Sequence, residues 1–493
     1  MIVSPAILGA ILRTSETRGE LQHHWDFLEG SGSVAHDDVG LLDASFQGTP
    51  TFDSDIPTVL FEGATDSLLF DGSTDYLTIP QATTAWDTTS AQTLVFWVKA
   101  DAIGGVAAAN EFPTIISLTS DQGESFTIWL NDTHDSVNSD GLNFGFQGLY
   151  DKNVSTSATF LGNWVHVAIV YDGVSYNSDS SYTIYVNGVS QSITASGAPP
   201  AHTEITQIGK GTTTTSFFDG RLFDIRVYNK ALTSGEVSAL DAGYNNLWEG
   251  ADDSWNTASN WPLNGVPTSD DAVLFDSTDN SDCFVDISRP TVYNLTIAAS
   301  YTGTFTMSSF FTVTNDFSHL STAGTVLYPQ TLLVGGDCDI DEVLHQDNIK
   351  DTTIEMNGST AQTLTLPDTA SIIVDKLIIN SGDTVTLAGT LTQVKLNRLE
   401  VSLGELAVAS KYLTITEDLD VIGGTITGLS TATAHTVGGS ARLYGSSKTS
   451  LLDLGFASAT EFNVTDDFFI RNATVGNLNA SGTGAQCLNC VEA

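Results

Sequence analysis

The segment Phe218–Leu240, FDGRLFDIRVYNKALTSGEVSAL, sets a run of aromatic and β-branched residues directly against a short helix signal. That pairing narrows the fold sharply. A chain that reaches its one brief helix only after about two hundred residues of strand-like runs must build its core from sheets. Leu232–Leu240 is that helix, with Thr233 and Ser234 as N-cap candidates and Glu236 at capping-box spacing from Thr233. Upstream, Thr93–Lys99 and His166–Tyr171 alternate in the manner of half-buried strands. Asp172-Gly173 and Asn187-Gly188 are turn dipeptides at strand ends, where a positive φ is needed.

The runs LLFDGSTDYLTIP (Leu68–Pro80), TLVFWVKAD (Thr93–Asp101), NWVHVAIVYDG (Asn163–Gly173), YTIYVNGV (Tyr182–Val189) and QIGKG (Gln207–Gly211) precede that closing segment. In this order and spacing, Leu21–Gly243 resembles the laminin-G-like, concanavalin-A-like jelly-roll domain of many adhesive and glycan-binding proteins. The resemblance implies a β-sandwich. In the glucanase branch of that superfamily an Asp in the last-strand pattern DYVRVY holds calcium together with groups from the first strand. Asp224-Ile-Arg-Val-Tyr228 matches the pattern here, and Trp25-Asp26-Phe27-Leu28-Glu29-Gly30 is the matching first strand. The resemblance therefore implies a structural calcium on Asp224 and Asp26, with oxygen ligands tying the two chain ends together. A turn, or a salt bridge from Asp224 to Arg221 or Arg226, carries equal weight.

At 493 residues the chain is too long for one core. Its 59 acidic residues outnumber 17 basic ones, for a formal charge of −42. Such a surface repels phosphate, which excludes nucleic acid and anionic membrane as expected partners. Solubility in salty water, where screening relieves self-repulsion, accounts best for the acidity and suggests a marine or saline setting. The apolar stretch Ala6–Leu12 has no basic residue before it, is interrupted upstream by Pro5, and is too short to span a bilayer. It is expected to be an assembly anchor or a first strand of the sandwich. Of four cysteines, Cys283 and Cys338 stand alone, and Cys487 and Cys490 form one CxxC without the further ligands that zinc needs.

After Tyr244 the texture changes. Asn246–Asp276 contains two tryptophans six residues apart, Trp255 and Trp261, and a VPxxDD turn, and resembles a segment found at the start of bacterial surface β-helices. Beyond it, short Thr/Val/Ile/Leu runs are broken by Gly, Asn and Asp. Phe311–Phe317 (FTVTNDF), Leu413–Leu419 (LTITEDL) and Phe462–Phe468 (FNVTDDF) share a template, and further rungs begin at Leu295, Leu377 and Leu399. A period near twenty points to a parallel β-solenoid, in which each coil buries its inner face on the next. A second sandwich is the alternative. The end of the chain resembles the ends of phage and bacterial β-helix surface proteins.

Chemistry is sparse. Glucanases of the sandwich class carry their carboxylates in an ExDxxE strand motif, which places alternate residues in one cleft, and none occurs here. The acidic pairs Asp270/Asp271, Asp337/Asp339 and Asp466/Asp467 read as turns, and the His23-His24 pair lacks metal-ligand spacing. For glycan binding, Trp129, Phe144, Phe146 and Tyr150 border the Asn/Asp/Gly-rich segment 131–151, although packing accounts for each as well; Trp97 and Trp164 read as core.

The expected organisation is an arm at 1–20, a laminin-G-like sandwich at 21–243, a Trp-containing bridge at 244–276, and a β-solenoid with a cysteine-containing tail at 277–493. The whole reads as all-β. The lack of a basic residue before the apolar stretch Ala6–Leu12 favours a non-enzymatic structural protein of a virion surface, a head fibre, decoration or tail fibre of a marine or halophilic phage, over a secreted protein, and the missing carboxylate motifs disfavour an enzyme. Its expected partners are host-surface glycans, other virion proteins and further copies of itself. A bacterial surface or secreted adhesin is the alternative, and a polysaccharide-active enzyme comes third.

Overall fold

In the computed structural model, residues 20–492 are described apart from 61–62, 81–89, 103–112, 121–124, 132–140, 147–149, 156–157, 176–177, 196–201, 212–215, 341–348, 367–373, 390–391, 429–434, 445–450, 453–461, 466–467, 472–473, 476–485 and 489–490. The apolar stretch near the N-terminus lies outside these residues. Two compact units emerge: Met1–Asn246 with Pro262–Gly265, and Leu247–Trp261 with Val266–Ala493.

The first unit is an antiparallel jelly-roll sandwich. In one sheet Gln92–Ala100 lies between Val165–Tyr171 and Asp219–Tyr228, and Leu21–Trp25 pairs with the end of the latter, His24 opposite Arg226. The other sheet runs through Thr114–Ser120, Ser125–Asn131, Gly141–Phe146 and Tyr150–Ser155. Val189–Ala195 pairs with both Tyr182–Val186 and Tyr150–Ser155, so the sheets are continuous along one edge. Alternate residues such as Leu94, Phe96 and Val98, and Val165, Val167 and Ile169, point into a core that includes Trp25, Phe70 and Ile225. The opposite face is buried too: all seven residues of Val165–Tyr171 are inaccessible, where the sequence suggested half-burial. The helix Ser234–Asp241 brings Asp241 within 3.7 Å of His166 on that outer side. Its capping box is complete, Thr233 accepting from Glu236 N and Glu236 from Thr233 N. Both turn dipeptides adopt the expected conformation, with φ of 48° at Asn187, 69° at Gly188 and 78° at Gly173.

The second unit is a parallel β-solenoid of about seven turns. Phe311, Leu332, Ile354, Leu377, Leu399, Leu419, Ala441 and Phe468 stand in one register column, in steps of 21, 22, 23, 22, 20, 22 and 27 residues. The expected rungs Leu377, Leu399 and Leu419 are therefore successive members of one column. The shared template is not in phase, however. Phe311 aligns with Leu419 and Phe468, the last residues of the second and third copies, while Phe317 stacks in a different column between Leu295 and Cys338. The same turn chemistry closes two different corners of the coil, which sequence alignment alone cannot distinguish.

Alternation along the strands turns one face inward, as in Thr331–Val334, where Leu332 and Val334 are buried and Thr331 and Leu333 are half-buried. Trp248, Trp255 and Trp261, each fully buried, fill the start of the stack. Trp255 lies 4.8 Å from Trp261, and Phe275 lies 4.6 Å from Phe305. The bridge thus acts as an aromatic cap on an inner face that has no preceding coil to cover it.

Candidate functional site

A group of buried ionisable side chains gathers where the first and last strands of the sandwich meet. Opposite Gln92–Ala100, the pairing passes from Phe223↔Trp97 to Arg226↔Val95, so Asp224 and Ile225 together face Phe96 in a β-bulge. Asp224 has φ 55°, an uncommon conformation for a non-glycine residue, and is buried. Its Oδ1 lies 2.7 Å from His24 Nε2 and accepts from Arg226 Nε at 2.8 Å. Burial alone would raise its pKa, but the Arg226 charge and the His24 hydrogen bond hold it well below the carboxylate range. The structure thus forms the Arg226 salt bridge left open by the sequence. Arg221 instead meets Asp53 and Asp101.

Asp37 is a second anchor, fully buried. Its Oδ1 accepts from His24 N, Val39 N and Gly40 N, and its Oδ2 accepts from Leu42 N at 2.8 Å and lies 2.6 Å from His23 Nδ1. Burial opposes its ionisation, yet His23 and these N–H groups lower its pKa. The paired histidines are therefore latches, each holding the first strand to a carboxylate from elsewhere. Asp26, half-buried, behaves in the opposite way. Burial pushes its carboxyl up to about 7, with Asp38 adding to the rise and His24 opposing it. His166 is fully buried against Trp97, ring centroids 4.9 Å apart, and burial drives its pKa down to about 3, so it is neutral at physiological pH.

Asp224 and Asp26 both interact with His24, and Arg226 is the counter-charge of Asp224. Among the described residues, no group of three or more His, Cys, Asp or Glu side chains is arranged to hold a metal.

Of the glycan candidates, Trp129 is 1% exposed, the packed alternative that the sequence allowed it. Its strand is followed by those bearing Phe144, Phe146 and Tyr150, with Asn143 opposite Trp129 and Phe146 opposite Tyr150. The side chains of Phe144, Phe146 and Tyr150 lie outside the described residues, as does the loop 132–140. Trp97 is buried as expected. Trp164 is not a core residue: it precedes the strand Val165–Tyr171, is half-buried, and donates its indole N–H to Asp55 Oδ1 at 2.9 Å.

Several of the solenoid's acidic residues work on the backbone, while Asp375, Glu400 and Asp420 pair with Arg398, Lys376 and Arg442. Asn294 Oδ1 accepts from Asp316 N, Asp316 Oδ1 from Asp337 N, and Asp337 Oδ1 from Thr363 N, at 2.7, 2.7 and 2.6 Å. Asp418 does the same for Ser440 N at 2.8 Å. Each corner side chain satisfies an amide of the next coil. Asp271 accepts from both the N–H and hydroxyl of Thr268, and Asp466/Asp467 lie outside the described residues. Cys283 and Cys338 are buried free thiols, with burial pushing both pKa values far up. Sequence reasoning missed the ladder, although Asn294, Asp316 and Asp337 recur at steps of 22 and 21 residues.

Residues 71–238 match the Laminin_G_3 family model, described as the Concanavalin A-like lectin/glucanases superfamily. The chain therefore carries a domain of that family within the sandwich. Among solved structures it is similar to domain 4 of AbnA, a GH43 extracellular arabinanase from Geobacillus stearothermophilus solved with arabinotriose, with 17% identity, a TM-score of 0.34, and coverage of 45% of this chain and 99% of that one. It is also similar to the binding domain of Paraclostridial Mosquitocidal Protein 1, with 12% identity, a TM-score of 0.31, and 47% and 54% coverage. A Trypanosoma rangeli sialidase mutant matches with 15% identity, a TM-score of 0.29, and 45% and 33% coverage, so this chain spans about a third of that enzyme. No curated protein matches the sequence.

Proposed function

We propose that this chain is a non-enzymatic adhesive protein of a virion surface, a fibre or decoration protein whose sandwich recognises host glycans. The lectin-type domain at 71–238 is the observation that carries the glycan-recognition part of the proposal, and the virion part rests on the resemblance of the chain's end to phage and bacterial β-helix surface proteins. Two features agree with it. Of the acidic pairs that would be the first suspects for hydrolysis, Asp271 and Asp337 serve as acceptors for backbone amides. The solenoid supplies a stack of mutually supporting coils, and a particle assembled from many copies of the chain would present the sandwich many times. Single sites of modest affinity then gain their grip through multivalency, which raises effective concentration.

The deciding experiment is detection of the chain in purified virions and in purified bacterial envelopes, together with binding and reducing-end assays on host capsule, lipopolysaccharide and marine glucans. Presence in particles, with binding and no release, is the expected result. Presence in envelopes alone would make it a bacterial adhesin. Release of reducing ends that disappears when Asp337 and Asp339 are both changed to Ala would make it an enzyme. Structural calcium on Asp26 and Asp224 is a separate proposal, resting on the resemblance to the glucanase last strand. Chelation should then lower the sandwich's melting temperature, and an unmoved transition ends the idea.

A further inference from the structure

Outside the sites considered above, one group of side chains on the outer face of the sandwich is built like a recognition surface. Val165 pairs with Val98 and Arg221 with Lys99, so Trp164, Lys99 and Arg221 form a row across three adjacent strands. Phe96, Val98, Val165 and Val167 point into the core, which leaves Trp97, Lys99, Trp164 and His166 on the outer side. Trp97 and His166 are buried, whereas the row of Trp164, Lys99 and Arg221 keeps some exposure.

Asp55 organises the row. Its Oδ1 accepts from the Trp164 indole and its Oδ2 from Lys99 Nζ at 2.5 Å, fixing the indole plane. Arg221 Nη1 donates to both oxygens of Asp101 at 2.9 and 2.7 Å, and Nη2 donates to Asp53 at 3.2 Å. The layering is asymmetric. The side chains of Arg221 and Lys99 are 16% and 19% exposed, whereas those of Asp53, Asp55 and Asp101 are 26%, 37% and 40% exposed. The cations are the more buried members of the row and hold the more exposed carboxylates in place beside a half-buried indole. Leu161, 48% exposed and three residues from Trp164, adds an apolar edge.

We propose that this row is a binding site for a neutral saccharide unit, stacked on Trp164 and donating hydroxyls to Asp55 and Asp101. The class follows from charge. Three partly exposed carboxylates against two cations repel sialate, uronate and sulfate groups, while sugar hydroxyls make charge-assisted hydrogen bonds to fixed carboxylates. An indole face offers apolar area to the C–H face of a pyranose without loss of its anchored N–H. The proposal rests on glycan recognition by the sandwich and places it on the sheet of Gln92–Ala100, not on the strands that carry Phe144, Phe146 and Tyr150.

The test is a panel of neutral and anionic glycans probed with the full chain, followed by titration of the best ligand. Trp164→Ala should weaken binding about tenfold, and Asp101→Asn severalfold, whereas Trp164→Phe should retain most of the affinity. Asp101→Asn and Trp164→Phe should leave the melting transition in place, so they decide the matter if Trp164→Ala fails to fold. Binding that is unchanged in all three variants would overturn the site and leave glycan recognition standing. Binding of anionic glycans alone would overturn the ligand class. A chain that binds no glycan, even displayed in many copies, would overturn both the site and the recognition on which it rests.

Discussion

The sandwich and the solenoid spend their carboxylates differently. In the sandwich, acids close contacts between residues far apart in sequence: Asp224 meets His24 across a separation of 200, and Arg221 meets Asp53 across 168. In the solenoid, Asp316, Asp337 and Asp418 reach only to the next coil, at separations of 21, 26 and 22. The first pattern makes stability collective, because losing one latch releases a strand at the edge of the whole sheet. The second makes it a sum over neighbours, in which a lost contact is felt by one interface between coils. Part of the chain's acidic complement is therefore structural.

The largest expected effect is on the buried Arg226. Replacing Arg226 with Ala leaves Asp224 charged, buried and without its main counter-charge, a loss of about 3–5 kcal/mol. In calorimetry of the full chain, the sandwich transition should fall and the solenoid transition should stay. A shift of both by similar amounts would show that the units do not melt separately.

Asp37→Asn comes next. An amide has one acceptor oxygen where Asp37 uses two, and its NH2 group would face the Leu42 N–H or the His24, Val39 and Gly40 N–H groups as donor against donor. The cost should be about 2–3 kcal/mol, read by urea unfolding of the sandwich. A loss below a few tenths would mean that the oxygens are interchangeable and the latch weak.

Much of this was legible in the sequence. Strand runs, turn dipeptides, the capping box and the twenty-residue period depend on local chemistry, and they appear where Thr233, Asn187 and Leu377 predicted them. What the sequence hid depends on register. The burial of both faces of Val165–Tyr171, the half-exposure of Trp164 and the phase of the FTVTNDF template follow from which strand lies alongside, and period-2 patterning does not say. Asp224 was legible as a residue of interest through its last-strand pattern and Arg226 as one of its candidate partners, but the His24 contact was not, because it spans 200 residues.

A smaller effect should appear on the pH axis. Asp26, raised to about 7, keeps its proton in the folded state where the unfolded chain has released it, so stability declines as pH rises from about 4 to about 7. Asp37 and Asp224 have the opposite sign: their folded pKa values are lowered, so their contribution is present above about 4 and is lost as pH falls further. Asp26→Asn should remove the decline toward neutrality, a gain on the order of 1 kcal/mol at pH 7 once partial solvent exposure is allowed for. Unchanged melting curves between pH 5 and about 8 in wild type and variant alike would show that Asp26 titrates in the ordinary range.

The smallest effect sharpens the comparison most. Asp337 accepts one coil-to-coil bond, from Thr363 N, and Asn294 already makes the equivalent bond to Asp316 N with an amide oxygen. Asp337→Asn should therefore leave solenoid stability unchanged within a few tenths of a kcal/mol, whereas Asp337→Ala, which strands the amide, should cost about 1 kcal/mol and only at that interface. The same Asp-to-Asn exchange is thus expected to be severe at Asp37 and silent at Asp337. Amide hydrogen exchange at Thr363 in the Ala variant supplies the local readout: faster exchange there and in adjacent coils, with protection kept in distant ones, is the nearest-neighbour outcome. Uniform loss of protection along the stack would mean that the solenoid unfolds as collectively as the sandwich, and the contrast between the two would be gone.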